Sequence, residues 1–192
     1  MKIYTKTGDA GETGLLGAAR VSKADPRIQC LGEVDELNAS LGYLRSQIAV
    51  AAPPALAKEV SLLLPIQKRL FEIGATVADV RRDVSTLDLF DATIDLEQSI
   101  DRQTAWLPPL TSFILPAGTP QSSFAHVTRS ICRRAERALV AVLEGKNESQ
   151  NVRIQQNLSN AQIYLNRLSD WLFVLARSLN HVLGQPDEPW PG

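Results

Sequence analysis

In the segment HVTRSICRRAER, three arginines recur at helical spacing: Arg129, Arg133 and Arg137. At about 100° per residue they share one helix face with His126 and Glu136, whereas Arg134 points elsewhere. Like charges stacked a turn apart repel on an isolated helix, so something should offset them. One candidate is an anion, because the planar guanidinium fork matches phosphate and carboxylate in a bidentate way. The other is a solvated face with Glu136 as a local partner.

A second group is TKTGDAGETG, Thr5 to Gly14. Its glycines allow successive amides to turn inward on an anion. Thr5, Thr7 and Thr13 add hydroxyl donors and Lys6 adds a point charge, which together suit a polyphosphate. It is no P-loop, since GxxxxGK[ST] is missing and no buried strand precedes it. Taken alone it also reads as a plain glycine-rich loop. In NRLSDWLF, Asn166 and Asp170 lie one turn apart, away from the leucine stripe of their helix, with Phe173 and Arg177 on the same side. That face meets a ligand or another chain, or simply water. In GEVDELNASLG, Asp35 and Asn38 flank an apolar stripe where an arginine could reach them, although early acids also favour a helix dipole. The two histidines, His126 and His181, fit neither a Ser/His/Asp nor a Cys/His arrangement. The Glu-x-x-His repeats of a di-iron bundle are also missing, and no protein nucleophile is expected.

These groups need helices to hold them, and the apolar periodicity supplies five. The first runs from Cys30 through Leu31, Val34, Leu37, Leu41, Leu44 and Ile48 to Pro53-Pro54, in steps of three and four. The second spans about 55–80, with a kink or restart expected at Pro65. A polar connector over 81–90 leads to a third helix over about 91–106. FILPAGTP is a turn-rich linker into a fourth helix over about 121–144, closed by Gly145. After a polar loop to residue 150, a fifth helix over about 152–183 carries Leu158, Ala161, Leu165, Leu168, Leu172, Leu175 and Leu179. The tail GQPDEPWPG is too rich in proline to continue it. No sheet is expected beyond a short N-terminal piece. The expected fold is all-α, a bundle of five helices. One domain over 1–192 comprises a glycine-rich loop over 1–28, the bundle over 30–183 and a tail over 184–192.

The chain of 192 residues, with 44% apolar and 21% charged residues and a formal charge of -1, has the composition of one ordinary globular domain. A protein that works by overall basic charge is disfavoured, and a nucleic-acid-binding role for the Arg129 to Arg137 face loses ground. Cys30 and Cys132 stand in no metal-ligand spacing and read as reduced, buried thiols. With no apolar leader and no apolar stretch of about 18 residues, a cytoplasmic protein without membrane contact is expected.

TKTGDAGETGLLG, LGEVDELNASLG, FILPAG, CRRAER and YLNRLSDWLFVLAR, in that order across nearly the whole chain, resemble the PduO-type ATP:cob(I)alamin adenosyltransferases. The resemblance implies a ferritin-like up-down bundle assembled as a homotrimer, with sites between subunits. Its substrates would be ATP and cobalamin, with Mg²⁺ riding on the phosphates and no metal ligand from protein side chains. A separate reductase would supply the electron. By the same resemblance Thr5, Lys6, Thr7, Gly8, Thr13, Gly14 and Lys23 frame the nucleotide, with Arg133, Arg134, Glu136, Arg137 and Asn166 facing it. Asp35 and Arg129 would pair across the subunit interface, and Phe113 and Asp170 would lie on the cobalamin side. Phe113 would displace the lower ligand of cobalamin. The family's FILPGG reads FILPAG here, so Ala117 replaces a glycine and would be strained if that position needs positive φ. Trp190 is the one candidate for the family's C-terminal aromatic near the corrin. A nucleotide-sensing module without catalysis is the rival from another class.

Overall fold

A computed structural model of the chain describes residues 3–4, 6–16, 20–51, 53–79, 87–145 and 152–191. Thr5, Gly17, most of the expected 81–90 connector and the loop over 146–150 lie outside the described residues. Among the described residues there are five α-helices: α1 (Pro26–Ala51), α2 (Ala57–Ala78), α3 (Phe90–Thr104), α4 (Pro120–Leu143) and α5 (Val152–Val182). Helix α1 packs between α2 and α4, and α5 packs against α4, α3 and α2. An antiparallel hairpin of β1 (Glu12–Gly14) and β2 (Arg20–Ser22) precedes the bundle. Strands β3 (Ile114–Leu115) and β4 (Glu188–Pro189) pair antiparallel far apart in sequence.

The five helices expected from periodicity are present, with differences that have physical causes. Helix α1 starts four residues before Cys30. Pro26 needs no amide partner at the first helical position, and the Asp25 carboxylate accepts the Arg27 amide at 2.8 Å, an N-cap bond. Its buried stripe takes Cys30 rather than Leu31, which is only half-buried. Helix α2 neither breaks nor restarts at Pro65. Pro65 is exposed, and its neighbours Leu63, Ile66 and Leu70 are all within 3% of complete burial, so packing of the apolar face outweighs one lost backbone bond. Helix α4 begins at Pro120, with Thr119 Oγ1 accepting the Ser122 amide at 3.2 Å.

Helix α5 is the axis of the bundle. Its expected stripe is buried throughout, Ala176 on the same face with it, and Tyr164 and Trp171 on the flank are buried as well. Three neighbouring helices surround it, so polar side chains on it must find partners inside the protein. Trp171 Nε1 donates to Ser99 Oγ of α3 at 3.0 Å. Gly184, with φ of 76°, ends the helix: the Gln185 amide reaches back to the Asn180 carbonyl at 2.9 Å, the bond of a glycine-closed helix end. That turn sends the tail back along the bundle to form β4, a pairing the sequence gives no sign of. Both cysteines are free and buried, and burial pushes the Cys30 thiol up to about 12. Among the described residues, no helix is long and apolar enough to cross a membrane.

Candidate active site

Helix α4 presents the arginine face at graded depth. Arg129 is half-buried, and Arg133 and Arg137 are exposed. The Arg129 Nε is buried and has no hydrogen-bond partner among the described residues. Burial and the neighbouring Arg133 hold the Arg129 guanidinium below its ordinary pKa. A cation in that position is under-compensated, which favours an incoming anion. Arg137 Nη1 donates to the Arg133 carbonyl at 3.1 Å, which fixes its direction along the helix. Glu136 Oε1 accepts from Asn166 Nδ2 at 3.1 Å, so the polar margins of α4 and α5 meet beside these arginines. Arg134 is turned away, as the helical angle requires, and its guanidinium is held by both Glu33 and Glu36 of α1. A contact between Arg134 and a nucleotide would require it to leave those carboxylates. Asp170 accepts from Arg167 Nη1 at 2.8 Å, and Arg167 Nε reaches Glu97 of α3 at 2.9 Å.

His126 lies one turn before Arg129, is 4% exposed, and packs its ring 5.9 Å from that of Phe173. Burial and then the Arg129 charge push its pKa from 6.5 down to about 4, with Asp187 acting weakly the other way. The imidazole is therefore neutral at pH 7. The unfolded chain takes up a proton near pH 6.5 that the folded chain refuses until about pH 4, so this group's stability contribution is present above pH 6.5 and is lost as pH falls through that window. Urea unfolding of His126→Gln at several pH values should give a shallower acid slope between pH 6.5 and 4 than the parent; an identical slope would remove His126 as the cause.

The opening loop gathers several of its expected donors. Thr13 and Gly14 pair with Val21 and Arg20 in the β1–β2 hairpin. Lys23 folds over Gly8, with its Nζ 3.4 Å from where a Cβ on Gly8 would stand, so a side chain there would press on the ammonium. Arg20 Nη2 donates to the Thr7 carbonyl and, at 2.8 Å, to that of Glu12, which holds the loop in a tight curl. Lys6 adopts φ of 61°, a left-handed conformation uncommon outside glycine and found at functional loops. The hairpin leads into a bond from the Leu16 amide to the Ala78 carbonyl at the end of α2, 3.0 Å.

Beneath it lies an apolar groove of about 810 Å³ between α1 and α2, lined by Leu15, Leu16, Asp35, Asn38, Phe71 and Gly74 among others. Asp35 is exposed at this groove, and the buried Asn38 Oδ1 has no partner among the described residues. Among the described residues of one chain, no hydrogen bond or ion pair joins Asp35 to Arg129, nor the hairpin to the arginine face. The structure thus brings Arg129, Arg133, Glu136, Arg137 and Asn166 together on one surface and the loop donors together on another.

Phe113 directly precedes β3 and is 80% exposed. Its carbonyl accepts the Trp190 amide at 2.8 Å, and the two rings stand 6.3 Å apart. Sequence reasoning missed what secures this segment: Asn180 of α5, 2% exposed, accepts at Oδ1 from the Thr119 amide (2.9 Å) and donates from Nδ2 to the Ala117 carbonyl (3.0 Å). The left-handed residue of FILPAG is Gly118, with φ of 118°, and Ala117 is not in that region. The glycine replaced by Ala117 is therefore not the one the turn needs.

Residues 3–179 match the family described as cobalamin adenosyltransferase. The chain belongs to this family. It is 42% identical over 190 residues to a cobalamin adenosyltransferase of Cupriavidus metallidurans, covering 98% of this chain and 94% of that protein. Identity with a corrinoid adenosyltransferase of Bacillus subtilis is 38% over 189 residues, covering 97% and 91%. Among solved structures, a variant of the PduO-type ATP:corrinoid adenosyltransferase from Lactobacillus reuteri complexed with cobalamin and ATP superposes with a TM-score of 0.84 at 38% identity, covering all of this chain and 97% of that one. The five-helix architecture is thus that of cobalamin adenosyltransferases, and the arginine face of α4 sits in a chain of that family.

Proposed function

We propose that this chain transfers the 5′-deoxyadenosyl group of ATP to the cobalt of cob(I)alamin, giving adenosylcobalamin and triphosphate. The observation that carries this reading is the buried Arg129 Nε, unpartnered among the described residues, in line with the exposed Arg133 and Arg137 on a member of this family. Cob(I)alamin is the nucleophile: its cobalt electron pair forms the Co–C5′ bond, and triphosphate leaves with the electron pair of the C5′–O bond that breaks. The protein has only to hold the two substrates in line and stabilise the growing charge. Arg133 and Arg137 face the triphosphate, and Glu136 with Asn166 positions the nucleotide. Thr5, Lys6, Thr7, Gly8, Thr13, Gly14 and Lys23 close over it. Arg134 serves from its bridge to α1, keeping α4 aligned.

Among the described residues no cluster of three or more His, Cys, Asp or Glu could cage a metal. The donors are cations, hydroxyls and amides, which fits a Mg²⁺ carried on the triphosphate and neutralising part of its charge. Among the described residues of one chain nothing joins the loop donors to the arginine face, and Asp35 and the Arg129 Nε each lack a partner. Both facts support a homotrimer in which Asp35 of one subunit meets Arg129 of the next and the nucleotide lies between them. Phe113 and Asp170 fall on the cobalamin side, where an apolar ring with no lone pair takes the place of the lower ligand. A cytoplasmic setting with a separate reductase completes the reading.

Anaerobic incubation with ATP, Mg²⁺ and chemically reduced cobalamin should yield adenosylcobalamin and triphosphate in equal amounts. ATP binding without cobalt alkylation would instead favour a nucleotide-sensing module.

A further inference from the structure

The exposed ring of Phe113 is held by its backbone, and that backbone is tied to the tail by the short β3–β4 ladder and, beside it, by a buried guanidinium. Arg177 of α5 is 4% exposed. Its Nε donates to Asp187 Oδ2 at 2.7 Å and its Nη2 to the Pro108 carbonyl at 2.7 Å. Pro108 lies on the connector that arrives at Phe113, and Asp187 immediately precedes β4. Beyond them Ile114 pairs with Pro189 and Leu115 with Glu188, and the Trp190 amide closes on the Phe113 carbonyl. A two-residue ladder is too short to hold register alone. Side-chain packing does not fill the seam either, since a cleft of about 290 Å³ lined by Pro108, Ser112, Ile114, Arg177, Asp187 and Pro189 runs beside it. The ion pair therefore carries the alignment. An ion pair with one buried and one partly exposed member is weak support for stability as such but suited to fixing one geometry.

We propose that Arg177 and Asp187 are positioning residues that set the Phe113 ring toward the corrin by clamping the C-terminal strand onto the Phe113 segment. The proposal rests on the reading of Phe113 above. Neither residue touches substrate, and both act through β3 and β4.

The test uses the full chain with ATP and cob(II)alamin, reading the visible signature of four-coordinate cobalt, the affinity for ATP and the thermal midpoint. Asp187→Asn, which keeps the side chain's shape, should lower the four-coordinate fraction about tenfold, as expected when a hydrogen bond between charged groups is weakened. ATP affinity should stay within about twofold, because the arginine face of α4 is untouched. Asp187→Glu should restore part of the signal. In a Phe113→Ala background, Asp187→Asn should add nothing further. Arg177→Gln serves as the second variant, read only if its midpoint shows a folded chain. A parental four-coordinate fraction in Asp187→Asn, with Phe113→Ala losing it, overturns the clamp while leaving Phe113 in place. A parental fraction in Phe113→Ala overturns both, since there is then no ring to position.

Discussion

Arg133→Ala is expected to lose about 10² to 10³ in kcat for adenosyl transfer, the usual consequence of removing one preorganised donor aimed at charge that develops in the transition state. The loss should fall on turnover rather than on folding. The Arg133 side chain is exposed and makes no hydrogen bond among the described residues, and its neighbours on the face are Arg129 and Arg137. Truncating it removes a like charge from a crowded face, so the thermal midpoint should stay level or rise slightly. Steady-state kinetics and a melting curve on the same preparation separate the two quantities. Unchanged turnover would take Arg133 out of the clamp, and a large drop in midpoint would mean the residue is structural.

That prediction comes from a part of the site the sequence makes legible. Helical angle alone places Arg129, Arg133 and Arg137 on one face and turns Arg134 away, and the structure finds Arg134 on the carboxylates of Glu33 and Glu36. Periodicity works because a stripe such as Leu165, Leu168, Leu172 and Leu175 is written within one element. What stays hidden joins distant residues through few atoms. Strands β3 and β4 are two residues each, so no alternation announces them, and their pairing depends on a turn at Gly184 and on one arginine in α5. Pro65 misleads for the opposite reason: the local rule is sound, but the buried Leu63, Ile66 and Leu70 hold α2 together across it. A contact between subunits, such as the proposed one between Asp35 and Arg129, would be equally invisible to one chain's pattern, which places Asp35 on a helix margin and says no more.

Gly118→Ala is expected to destabilise the chain by about 4 to 6 kcal/mol and lower its thermal midpoint by about 15 °C, given roughly 2–4 °C per kcal/mol for a domain of this size. Two effects add. At φ of 118° a side chain is strained by about 1 to 3 kcal/mol. A Cβ there would also stand 2.2 Å from Asn180 Oδ1 and 2.5 Å from its Cγ, far inside contact distance. The Asn180 amide cannot simply swing away, because it is buried and bonded to the Thr119 amide, the Thr119 hydroxyl and the Ala117 carbonyl. Displacing it costs about 1 kcal/mol for each of those bonds. Thr119 also caps α4, so the disturbance spreads to the start of the helix that carries the arginines and to the segment that carries Phe113. Ala117→Gly is the control. Ala117 is not left-handed, its amide meets the Leu115 carbonyl at 2.9 Å, and the change should cost no more than about 1 kcal/mol of added chain freedom. Differential scanning calorimetry of the two variants decides the matter: equal midpoints would mean that Asn180 yields easily and that the FILPAG turn is not held from α5.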